Sequence, residues 1–114
     1  YGCCEGLDKR FEYVKQIPRL RRVSVSQWAN IPLMSEMLGG DYVFCHKVSP
    51  TDIAVPQIDE DYIRRRLNEV LTKCKACGNH VELIMKDNHT IANTPYNAYR
   101  WVQLAREEVA RVYG

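Results

Sequence analysis

No apolar run in the sequence approaches the roughly 20 consecutive residues that a membrane-spanning helix requires. An excess of either charge is missing too, since 16 Lys and Arg stand against 14 Asp and Glu for a net +2. So even a balance does not suit a surface built chiefly to neutralise nucleic-acid phosphates. Internal repeats, low-complexity tracts and linker-like stretches are absent. What remains, 114 residues that are 46% hydrophobic and 10% aromatic, is the composition of one small folded domain rather than a disordered tail. The first residues, Tyr1-Gly2-Cys3-Cys4, show neither an initiator methionine nor a signal-peptide pattern, so the sequence reads as a fragment or a processed product. Five cysteines, an odd number without a secretory feature, make a disulfide framework a poor fit and predict a reducing, cytoplasmic setting.

Hydrophobic periodicity predicts strands over residues 22–26, 42–46 and 81–85, each an apolar or β-branched run. Helical spacing lies between and after them. Asp8 is placed to cap a helix from about Lys9 to Ile17, stopped by Pro18. Asn30 and Pro32 open a second that ends at Gly39-Gly40, and Asp59 opens a third, with Ile63, Leu67, Val70, Leu71, Cys74 and Cys77 on one stripe and Gly78 at its stop. Thr94-Pro95 opens the last, with Ala98, Trp101, Val102, Ala105, Val109 and Val112 on one face. Each return from strand to strand passes through a helix, which predicts parallel neighbours and an α/β class. A parallel sheet of three strands leaves both edges open. With Cys3-Cys4-Glu5 at the end of a preceding strand, strand ends fall roughly 22, 21 and 39 residues apart, against about 31 per unit in a (β/α)8 barrel of about 250 residues. Residues 1–114 are therefore expected to be one partial domain, the C-terminal three to four βα units of a TIM barrel.

In parallel α/β folds ligands bind at the carboxyl ends of strands. Those ends carry Cys3, Cys4 and Glu5; Ser26, Gln27 and Trp28; His46 and Lys47; and Lys86, Asp87, Asn88 and His89. Thiols, lysines and histidines are not the usual loop-closing residues, so a site is predicted there. Cys3 or Cys4 could supply a thiolate to a borderline metal, completed by Asp87 or His89, although adjacent cysteines on a strand point to opposite faces. Lys47 can hold a carboxylate or phenolate, and Trp28 can stack on a flat ligand or cover the rim. Cys74 and Cys77 form a C-x-x-C whose second half is missing, and they read as core. Arg64-Arg65-Arg66, with Glu60 and Glu69 in pairing range, reads as a solvated outer helix face.

The segments Val23–Ala29, Leu38–Val43, Lys47 with Pro50, and Glu82–Asp87 before Thr94-Pro95 together resemble the C-terminal part of the uroporphyrinogen decarboxylase superfamily. The resemblance implies a TIM-barrel parent enzyme: a methyltransferase that moves a methyl group from a small methylated compound to a corrinoid carried by a partner protein, or a tetrapyrrole decarboxylase. In the methyltransferase branch it implies zinc held by Cys3, Cys4 and Asp87, with Tyr1 where that branch has a histidine. Lys47, Asp87 and His89 would then act in catalysis, while Trp28, Lys47 and Lys86 would bind substrate. The decarboxylase's histidine turn is replaced by Lys86-Asp87-Asn88. A third possibility, of another class, is a non-catalytic α/β module that self-associates. Part of a barrel is expected to be inactive alone and to form homo-oligomers through its open edges.

Overall fold

The computed structural model describes residues 1–2, 5–85 and 93–114. Their elements are α1 (Phe11–Val14), β1 (Arg22–Val25), α2 (Ile31–Leu38), β2 (Val43–Val48), a 3-10 turn (Pro50–Asp52), α3 (Glu60–Ala76), β3 (His80–Met85) and α4 (Tyr96–Tyr113). The strands form one parallel sheet in the order β1-β2-β3, with Ser24, Cys45 and Glu82 aligned in a single row across it. Tyr1 extends this pattern beyond β1. Its nitrogen donates to Arg22 O at 2.9 Å and its carbonyl accepts from Ser24 N at 2.7 Å, the bond pair of a parallel bridge opposite Val23.

Right-handed crossovers between strands taken in sequential order put every connecting helix on the same side. Accordingly α2 packs on α3 and α3 on α4, as one layer against one face of the sheet. Strand alternation sends Val23, Val25, Phe44, Val81 and Leu83 into that interface. One apolar cluster gathers Leu7, Phe11, Val14, Met34 and Leu38 around β1, and a second gathers Ile63, Leu67, Leu71, Trp101 and Leu104 between α3 and α4; Val81 touches both. Among the described residues no helix is long and apolar enough to cross a membrane.

Helix ends follow the predicted chemistry where the side chains can reach. Asn30 Oδ1 accepts from Leu33 N at 3.2 Å to start α2, and Asp59 Oδ1 accepts from Tyr62 N at 3.1 Å to start α3. The left-handed φ of +74° at Gly78 allows the chain to turn sharply from α3 into β3. There Asn79, 3% exposed, donates to Ser35 O at 3.0 Å and to Gly39 O at 2.8 Å, and accepts from the Ser35 hydroxyl. One side chain thus ties the end of α2 to the start of β3.

Several expectations need correction. The first helix is a single turn; Arg10, not Asp8, precedes it and makes no side-chain cap, so burial of Phe11 and Val14 holds the segment instead. Strand β2 runs to Val48, which places His46 and Lys47 within the strand rather than after it. Cys77 falls at the end of α3 and is only half-buried, so the buried stripe stops at Cys74. In α4 the buried stripe is Trp101, Leu104, Ala105 and Glu108, whereas Val102 and Val109 are 43% and 38% exposed. The helix rolls toward α3, its main packing partner, because that helix offers charged as well as apolar contacts. Arg64 pairs across the helices with Glu107 and Glu108, and Arg100 pairs with Glu60 at 2.8 Å, so of the basic run Arg64 turns to the helix seam while Arg65 and Arg66 keep the expected exposed face.

Candidate functional site

The carboxyl half of β2 presents different chemistry to the two sides of the sheet. On the helix-free side lies the row Ser24, Cys45 and Glu82. Arg22 reaches Glu82 Oε2 at 3.4 Å, and Glu82 Oε1 is buried with no hydrogen-bond partner of good geometry among the described residues. Burial, with the Glu82 carboxylate beside it, pushes the Cys45 thiol up to about 11; the Lys47 and Arg22 cations oppose this in part. That influence and the strand alternation put the Lys47 ammonium on the same side, one step nearer the carboxyl end. This face therefore carries two cations, a carboxylate and a protonated thiol.

On the helix side β2 contributes His46, 8% exposed, to a cavity of about 120 Å³ bounded by Gln27, Asp52, Tyr62, Arg66 and Trp101. Burial, assisted by the Arg66 guanidinium, holds the imidazole down to about 4, so it is neutral near pH 7. The same burial raises the Asp52 carboxyl above its usual range, and Arg66 works against that rise. Among the described residues, neither His46 Nδ1 nor the indole nitrogen of Trp101, both buried, has a hydrogen-bond partner. Buried polar groups of this kind cost stability unless something pairs with them.

Of the strand-end residues singled out from sequence, Glu5, Ser26, Gln27, Trp28, His46 and Lys47 are described; Cys3, Cys4, Lys86, Asp87, Asn88 and His89 lie outside the described residues. Trp28 stands 74% exposed beyond β1, where its ring is free to meet a ligand but covers little. Among the described residues no three His, Cys, Asp or Glu side chains converge as a metal site. Cys45 and Glu82 supply only two donors, fewer than a zinc ion takes from protein.

Sequence reasoning missed the roles of Cys45, Glu82, Arg66 and Trp101. Extending the β2 run to Val48 would have sent His46 to the helix side and Lys47 to the other. Arg66 lies three residues after buried Ile63 and one before buried Leu67, hence on the flank of the α3 stripe. No family model, curated protein or solved structure matches the chain.

Proposed function

We propose that the chain is the C-terminal portion of a (β/α)8 barrel similar to the uroporphyrinogen decarboxylase superfamily, and that its full-length enzyme transfers a methyl group from a small methylated compound to a corrinoid. The observation that carries the fold reading is the one-sided layering: three parallel strands in sequential order, the described connecting helices on one face, and an opposite face with polar groups that none of these helices covers. In a barrel that opposite face is the interior, and its carboxyl rim is where substrates bind. Barrel interiors are filled chiefly by bulky branched residues, so the Ser24–Cys45–Glu82 row would form a polar layer beneath the rim.

In this reading the donor's heteroatom or carboxylate sits above Lys47. The partner-borne corrinoid supplies the reduced cobalt that takes the methyl group. As the carbon–heteroatom bond breaks, its electron pair stays on the heteroatom, and the Lys47 ammonium stabilises the anion and gives it a proton. Glu82 and Arg22, paired beneath, set the field at that ammonium. Trp28 supplies a flat apolar wall at the rim. No step here depends on a metal.

A second reading is favoured by the cations Arg22 and Lys47 on one face: decarboxylation of a tetrapyrrole whose carboxylates they hold. Two assays on the full-length protein separate the readings, transfer of methyl groups to cob(I)alamin and release of carbon dioxide from uroporphyrinogen. Methyl transfer that falls about 100-fold in kcat/KM in Lys47→Ala is the expected result, the size of a lost oxyanion contact. Carbon dioxide release without methyl transfer assigns the second reading. Neither activity overturns both.

A further inference from the structure

We infer that the cavity between the end of β2 and helices α3 and α4 is a binding site for a short-chain carboxylate, separate from the helix-free face. The inference stands whether or not the barrel reading holds. His46 and Trp101 are 8% and 6% exposed, come from different elements, and line one cavity; each keeps a buried ring nitrogen without a partner among the described residues. An indole N–H can only donate, so its missing partner is an acceptor. A neutral imidazole can donate from either ring nitrogen, and its tautomer adapts to what it meets. Two unpaired ring nitrogens from residues lining one cavity call for a ligand with more than one acceptor oxygen.

Charge selects among such ligands. The groups that titrate or carry charge around the imidazole are Asp52 on the 3-10 turn and Tyr62 and Arg66 on α3; Lys47, next along β2, also lines the cavity, although strand alternation starts its side chain toward the Cys45 side. Arg66 lines the same cavity, its guanidinium 5.8 Å from the centre of the Tyr62 ring, and its charge is felt at both His46 and Asp52. The Asp52 carboxyl, raised by burial, repels an anion wherever it is ionised, and the Arg66 cation offsets it. A planar carboxylate is the natural partner of a guanidinium and an N–H donor together. The volume, about 120 Å³, equals roughly four water molecules at about 30 Å³ each, room for a few carbons and no more.

The test is a titration of the folded chain with sodium acetate and sodium propionate, followed by nitrogen-15 NMR of the indole and imidazole signals. Acetamide serves as the uncharged isostere. Both carboxylates are expected to shift the Trp101 indole and His46 ring signals saturably, with the exposed Trp28 indole unmoved. Arg66→Gln, at an exposed position that should leave folding intact, is expected to weaken binding roughly tenfold, the size of one lost charge-assisted hydrogen bond. Trp101→Phe is expected to abolish the His46 shift. Absence of saturable shifts would show the cavity to hold water alone and overturn the proposal. So would equal binding of acetamide, or affinity unchanged in Arg66→Gln.

Discussion

Replacing Asn79 isolates the contribution of one side chain to the joint between α2 and β3. The amide donates to Ser35 O at 3.0 Å and to Gly39 O at 2.8 Å. In Asn79→Ala the Ser35 carbonyl keeps its bond from Gly39 N at 3.1 Å, and the Ser35 hydroxyl can still donate to Lys73 O at 3.4 Å. Only the Gly39 carbonyl loses the donor that the side chain gave it. One stranded acceptor at about 1–3 kcal/mol plus one lost bond at about 1 kcal/mol gives a destabilisation of roughly 2–4 kcal/mol. Asn79→Asp keeps the shape but turns a carboxylate toward two carbonyl oxygens, so at neutral pH it should cost more than the alanine. Repulsion raises the carboxyl's folded-state pKa above its unfolded value of about 3.9. Between those two values the folded state binds more protons, so the penalty must shrink as the pH falls. Urea denaturation of both variants, each referenced to wild type at the same pH, measures this. An Asn79→Asp protein as stable as Asn79→Ala at neutral pH, or one whose deficit ignores pH, would refute the assignment of the amide as a double donor.

Two further outcomes follow from the buried groups of β2. His46 titrates at about 4 when folded and near 6.5 when unfolded; the unfolded state binds more protons between these values, so stability drops as pH falls through that window. The loss attributable to this residue is at most about 3–4 kcal/mol, and His46→Gln should flatten that part of a pH–stability curve; identical curves for the two proteins would disprove it. The Cys45 thiol, 3% exposed and held up to about 11, should resist a thiol-reactive reagent at neutral pH while the half-buried Cys77 reacts; early labelling of Cys45 by mass spectrometry would contradict the packing.

Much of the architecture was legible because it rests on local signals. Asn30 and Asp59 cap the helices they were expected to start, and three apolar runs pair as parallel strands. Element ends were less legible: Lys9–Ile17 has helical residues but no cap, and only one turn persists. Strand-end chemistry was read with the right residues and incomplete geometry. His46 and Lys47 are neighbours in sequence, yet the pleat sends one into the helix-side cavity and the other to the bare face. Periodicity on α3 marked Ile63 and Leu67 but gave no hint that Arg64 would pair with Glu107 and Glu108, since cross-helix ion pairs join positions over 40 residues apart. Cys3, Cys4, Lys86, Asp87 and His89 lie outside the described residues, so the metal expectation rests on the resemblance alone.

The division of the core into two clusters that meet at Val81 has a consequence for how the protein breathes. Cooperative opening usually proceeds by blocks that share contacts within themselves. The α1–β1–α2 block completes its interior with Val70 and Cys74 of α3, whereas Ile63, Leu67, Leu71, Trp101 and Leu104 pack between α3 and α4 without it, so hydrogen exchange should divide the amides into two protection classes rather than one. The α3–α4 block adds Arg64–Glu108 and Arg100–Glu60 pairs and should open last. The Asn79 joint is where the two opening events become coupled.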